Sequence, residues 1–250
     1  MKAVKTIAML LASLLVLATG LMSQEIAPGT IIPVQLAKPI DVANAKPGQQ
    51  VVGRTMQGVA LPSGISIPQG ARVYGSVITA QKAAVQSNSE LTFVFDRVVL
   101  NGRQYKLTTN LRAMAAPEEV FDAELPATGP DEGSPESAWT TVQIGNDETV
   151  YRGGGAVVQD GSNVAVGYAT SSGVSAAVKQ EPGSRCRGNI PGAAPQQSFW
   201  LFSSDACGLY GFDELKLSHA GRTVPEGQIT LVSQKDVRLP PGTALLLRVD

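Results

Sequence analysis

The sequence is poor in the residues that most chemistry needs. It has one histidine, His219, and two cysteines, Cys186 and Cys207, in 250 residues. So few nitrogen and sulfur ligands exclude a His/Cys-rich metal cluster. Aromatic residues make 5% and charged residues 16%. The 20 basic residues stand against 21 acidic ones, a net charge of −1. Without a basic surplus there is no non-specific pull towards nucleic acid or an anionic membrane. No GxSxG motif is present, so the nucleophile-elbow hydrolases are not indicated. The triple glycine Gly153-Gly154-Gly155 is followed by no GK[ST] and belongs to no GxGxxG, which argues against a nucleotide loop. What the chain does have is glycine and proline, 26 and 16 residues. Together they exceed the usual share of roughly 12% and point to many tight turns and short strands. The hydrophobic fraction of 43% is enough for a core.

The first residues read as a secretory leader. Lys2 and Lys5 precede the apolar run Ile7 to Thr19. The run is shorter than the ~20 residues a membrane helix needs. Small residues place a cleavage after Gly20, with Ser23 as the second choice. An uncleaved N-terminal anchor is the competing reading. No cysteine follows the run to carry a lipid, and no later segment is long and apolar enough to span. Export would put Cys186 and Cys207 in an oxidising space. One bridge between them would close a loop worth about 3 kcal/mol. Two buried thiols are the bland alternative, and no CxxC spacing supports a redox pair.

Period-two alternation marks the strands. Thr30 to Leu36 puts Ile32, Val34 and Leu36 on one face. Arg72 to Val77 does the same with Val73, Gly75 and Val77. Gln104 to Arg112 sets Tyr105, Leu107, Thr109 and Leu111 against polar residues. Asn101-Gly102 lies between two such runs and marks a hairpin. A two-residue Asn101-Gly102 loop would place Phe93 and Phe95 on the face of Lys106, Thr108 and Asn110. A three-residue loop, Leu100-Asn101-Gly102, places Phe93 opposite Thr109, Phe95 opposite Leu107 and Asp96 opposite Lys106. Keeping one apolar face favours the three-residue loop, with Gly102 left-handed.

The middle of the chain changes character. No basic residue lies between Arg112 and Arg152. Acids and Pro117, Pro126, Pro130 and Pro135 fill residues 113–138, which read as a Pro-rich acidic loop. Calcium binding is the functional alternative, but no DxDxDG spacing appears. Residues 139–181 are rich in small residues and read as strands or turns, with a short helix over 172–180 as a weaker alternative. Residues 198–217 hold the dense aromatic cluster: Phe199, Trp200, Phe202, Tyr210 and Phe212. A covered central strand explains it. A carbohydrate or partner platform on Trp200 and Tyr210 is the functional reading.

Pro28 to Leu36 is echoed by Pro241 to Val249 at a constant offset of 213. Both read as a Pro/Gly turn launching a strand, and Ile67 to Val73 is a looser third copy. End strands that lie together would help close a barrel or sandwich. Gly29 to Leu36, Lys46-Pro47-Gly48, Val51 to Val59, Ile67 to Val77 and Leu91 to Leu111 resemble the β-barrel domain of TrbI-like proteins. Those are channel scaffold components of conjugation and type IV secretion systems. The resemblance implies a barrel-like fold. It does not imply a working channel, because the family's membrane helix and long Pro-rich spacer have no counterpart before Gly29.

Catalysis has thin support. His219 lies in a strand-then-turn context, and Asp213-Glu214 is the better-placed carboxylate pair. The expectation is an all-β protein: a barrel or sandwich of short antiparallel strands with a loop-rich, disulfide-tied insertion. It divides into a leader (1–20), the N-terminal half of a barrel (27–112), the acidic loop (113–138), a Gly-rich and Cys-bearing insertion (139–227) and closing strands (228–250). The expected role is a non-enzymatic module of the periplasm or outer membrane, structural or interacting, without cofactor or metal. Its partner would be an envelope protein or a glycan, not nucleic acid. The alternatives are a carbohydrate- or peptidoglycan-binding module using residues 199–212 and a component of a secretion apparatus.

Overall fold

The computed structural model describes residues 26–61, 63–125, 140–145, 149–151, 157–159, 165–170, 173–177, 179–180, 186–187 and 196–250. The leader expected at 1–20 lies outside them. The first strands are β1 (Ile31–Leu36), β2 (Ile40–Asp41), β3 (Gln50–Thr55), β4 (Val59–Ala60), β5 (Ser66–Ile67) and β6 (Arg72–Gln81). Then come β7 (Ser89–Leu100), β8 (Arg103–Lys106), β9 (Thr109–Ala115) and one helix, α1 (Pro117–Glu124). The middle carries β10 (Thr140–Val142), β11 (Thr149–Tyr151), β12 (Val157–Gln159), β13 (Ala165–Thr170) and β14 (Gly173–Ala177). It continues with β15 (Lys179–Gln180), β16 (Cys186–Arg187) and β17 (Gln196–Phe199). The last strands are β18 (Gly208–Tyr210), β19 (Lys216–Ala220), β20 (Ile229–Ser233), β21 (Arg238–Leu239) and β22 (Ala244–Val249). The protein is all-β, as the alternation predicts.

One large sheet runs in the order β18-β9-β22-β1-β3-β6-β7-β20-β19, with β8 also on β7. The two echoed segments are direct neighbours: β1 and β22 pair antiparallel, with Ile32 opposite Leu247 and Val34 opposite Leu245. The sheet is strongly curled. β8 pairs with β7 and β9 with β22, yet only Leu107 and Thr108 join β8 to β9. Strands β8 and β9 lie six spacings apart in the sheet, about 29 Å if flat, while three residue steps reach only about 11 Å. The Leu107 N–H donates to the Asp96 carbonyl at 2.8 Å, and the Asp250 N–H donates to the Thr108 carbonyl at 2.9 Å. The linking residues are thus tied to both flanks. A closed barrel is nevertheless not formed. The ladder breaks at Leu107–Thr108, and β20 and β19 extend the sheet past β7. The single strand expected over Gln104 to Arg112 is divided by the same break.

The hairpin corrects the expected register. Arg97 faces Lys106, Val98 faces Tyr105 and Leu100 faces Arg103. The loop therefore has two residues, with Asn101 at φ 49° and Gly102 at φ 78°, the double left-handed turn that Asn-Gly favours. Against β6, Tyr74 faces Arg97 but Gly75 faces Phe95, so Asp96 is an extra residue. This bulge reverses the side-chain parity. Leu91, Phe93 and Phe95 point inward before it, and Val98 and Leu100 after it. Both the favoured turn and the apolar face are kept. The expected Asp96–Lys106 pair is absent; Asp96 instead accepts from Arg97 at 2.7 Å. At the same bulge, a Cβ on Gly75 would lie 1.7 Å from the Val94 carbonyl oxygen, so only glycine fits.

Two cores result. The first fills the inside of the curl, with Val34, Val73, Leu91, Phe93, Phe95, Leu231 and Leu247. The Phe93 and Phe95 rings meet edge to face at 6.0 Å. The second lies on the outer face of β1, β9 and β22, where Ile31, Ala113, Ala115, Ala244 and Leu246 are covered by Val120, Val174, Phe199 and Phe202. The cover comes from α1 and from a four-stranded sheet, β12-β13-β14-β17. The start of the acidic stretch is regular structure: 113–115 complete β9, and Pro117 opens α1. Proline is tolerated in a first turn because its missing N–H has no helical partner there, and Glu118 and Glu119 favour the helix dipole. Where the helical alternative over 172–180 falls on described residues, they are strands, β14 and β15.

Candidate functional site

Residues 199–202 lie at the joint between the two layers. The Ile144 N–H donates to the Leu201 carbonyl at 2.6 Å, and the Ser203 N–H donates to the Ile144 carbonyl at 2.9 Å. The buried Gln143 amide donates to the carbonyls of Phe199, Trp200 and Phe202 at 3.0, 3.0 and 3.1 Å. The Trp200 N–H donates to Gln57 Oε1 at 2.9 Å. Gln57 follows β3, so this bond ties the covering layer to the large sheet. A third glutamine works in parallel. Gln197 accepts from the Ile31 N–H at 2.7 Å and donates to the Gly29 carbonyl at 3.1 Å. Buried backbone groups need such partners.

The aromatic cluster does not make one exposed platform. Phe199 and Phe202 are buried in the second core. Phe212 packs against the first core. Tyr210 is half-buried, and its hydroxyl accepts from the Cys207 N–H at 3.0 Å and donates to the Cys207 carbonyl at 3.1 Å. That hydroxyl locks a local turn. Trp200 is half-buried and lines an open cleft of about 510 Å³. The other walls are Arg54 to Gly58, Gln69 and Gly70, with Gln35, Glu124 and Leu201. No sequence signal separates Gln57, Gln143 or Gln197 from solvent-facing glutamines; only the register of two layers reveals them.

The remaining candidates lie elsewhere. The His219 ring nitrogen Nε2 sits 3.2 Å from the carbonyls of Thr223 and Pro225. Asp213 and Glu214 line a second, polar cleft of about 340 Å³. There Glu214 pairs with Lys235, and both side chains are largely exposed. Among the described residues no cysteine is free; the side chain of Cys186 lies outside them. No group of three or more metal-ligating residues occurs among them either. None of the helices described is long and apolar enough to cross a membrane.

Three arginines gather where β9, β22 and the 221–227 turn meet. Arg112 is fully buried, and its guanidinium donates to the Ser204 carbonyl at 2.9 Å. Burial, with Arg222 and Arg248 pushing the same way, brings its pKa down to about 10. It stays charged at neutral pH. Arg222 donates to the Leu111 carbonyl at 3.0 Å, and its pKa is lowered by burial first and then by Arg248. Asp250 accepts from Arg248 at 2.9 Å and from the Asn110 amide. Burial still raises its carboxyl above the ordinary 3.8. This cluster ties the sheet's end together rather than opening a cleft. No protein-family model, no curated protein and no solved structure matches the chain.

Proposed function

We propose that the chain is a non-enzymatic binding module of the cell envelope, exported to the periplasm or the outer membrane. The observation that carries the reading is the cleft at the seam of the two layers. Rigid hydrogen bonds from Gln57 and Gln143 hold Trp200 at its wall. A part-buried tryptophan held by a fixed main chain at the wall of a cleft is suited to contact a partner at low entropic cost. The leader-like first residues support export. The bridge Cys186–Cys207 belongs to the same reading. It is supported by the disulfide-bonded state of Cys207 and by the presence of only two cysteines. Binding is favoured over catalysis because His219 turns onto carbonyls of its own loop and Glu214 is held by Lys235.

The TrbI-like resemblance gives a narrower form of this proposal, a scaffold part of a secretion apparatus. Its motifs correspond to β1, β3, β6 and the β7–β8 hairpin, all in the one curled sheet. The test is fractionation of the full chain expressed in a bacterium with two membranes. The mature protein should appear in the envelope fraction, shortened by the leader and without free thiols. Intact leader and reactive thiols in the cytosol would end the reading.

A further inference from the structure

From the lining of the Trp200 cleft we propose that it binds a neutral oligosaccharide. The inference rests on the reading of the chain as a binding module and names its ligand class. Three features of the lining select this chemistry. The first is the indole itself: a flat apolar surface with a polar edge suits the C–H face of a sugar ring. The second is the polar complement. The exposed Gln69 amide and the Gln35 amide, whose nitrogen donates to the Gly242 carbonyl at 3.2 Å, line the same space, while Gln57 and Thr55 are buried there with partners of their own. Amides both donate and accept, as hydroxyl-rich ligands require. The third is charge. Arg54 and Glu124 are the charged residues of the lining, one of each sign, so the cleft selects neither an anion nor a cation. Its volume, about 510 Å³, falls within the roughly 300–1,000 Å³ of small-ligand sites. The wall is also built rather than incidental. Gln57 is buried and its carbonyl oxygen fixes the Trp200 main chain.

The other clefts and clusters carry less. The Asp213–Glu214 cleft has no aromatic wall, and Lys235 already holds Glu214. The three-arginine cluster is offset by Asp250 and Asp205.

The test uses the full mature chain carrying Trp139→Phe, which leaves Trp200 as its single indole. Its fluorescence is titrated with chitotriose, cellotriose and maltotriose. At least one should give a saturable change with a Kd below about 1 mM. That Kd should move less than about twofold between low and high salt, because no net charge is neutralised. Gln69→Ala, at an exposed turn outside both cores, should weaken binding by about threefold to tenfold, with circular dichroism unchanged. In the chain that keeps Trp139, Trp200→Ala should weaken it at least about tenfold by calorimetry. No saturable change with any of the three sugars would overturn the inference. So would undiminished binding in both variants, or binding abolished by salt. The envelope-fractionation result does not depend on any of these titrations, so a failed sugar site leaves the export reading standing or falling separately.

Discussion

Strands β3 and β22 share one sheet but are buried differently. In β3 exposure alternates along the strand: Val51, Gly53 and Thr55 are buried, while Gln50 and Arg54 are exposed. In β22 five of six residues are buried, and β9 is buried at all seven positions, Asn110 and Arg112 included. The physical difference is the second layer. β3 has a core on one side and solvent on the other. β9, β22 and β1 have a core on both. A strand buried on both faces loses the alternation of a half-buried one. Continuous apolar runs such as Ala244 to Leu247 therefore mark where something must cover the sheet.

The comparison can be broken at several points. The largest effect belongs to the one-sided region. Gly75→Ala would drive a methyl into the Val94 carbonyl. We expect a loss of about 4 kcal/mol or more, measured by urea unfolding. A loss below about 1 kcal/mol would mean that β6 and β7 are not so close. Next comes the seam. Phe199→Ala should cost about 3–5 kcal/mol, because its ring is buried between the layers. A surface-like cost would show that the cover does not seal the sheet.

Gln197→Ala tests the polar tie. It leaves the Ile31 N–H and the Gly29 carbonyl without that partner, at a cost of about 1–3 kcal/mol. Thermal or urea unfolding that matches the parent would remove Gln197 from the account. Gly102→Ala should cost about 1–2 kcal/mol, since alanine at φ 78° is strained. An unchanged unfolding midpoint would favour a wider loop. The smallest effect is at Asp250. Its carboxyl holds a proton more tightly folded than unfolded. Its contribution is therefore full below the unfolded pKa and is lost as pH rises through the folded value. Asp250→Asn should flatten that decline, and an identical pH–stability profile would contradict the assignment.

These effects also show what the sequence could convey. Alternation exposed β1, β6 and the inward set Tyr105, Leu107 and Leu111, because those positions repeat with the strand period. The echo between Pro28 and Pro241 located two strands that are paired. The hairpin register differs by one residue from the parity expectation because β7 is bulged at Asp96. Asp96 carries no mark of a bulge, and Asn101-Gly102 had the stronger local preference. The helix at the start of the acidic stretch was hidden by its prolines, although Pro117 stands where helices accept one. The site was half legible. Trp200 stood out by type, but its separation from Tyr210 and its support by Gln57 and Gln143 depend on contacts between segments distant in sequence.

Hydrogen exchange of backbone amides under native conditions tests the two-layer account most directly. Amides of β1, β9 and β22 that bond within the sheet should exchange only through global unfolding, and Phe199→Ala should speed them more than those of β3 and β6. Fast exchange in β22 of the parent protein, or equal acceleration in both regions, would contradict a sheet sealed on its outer face.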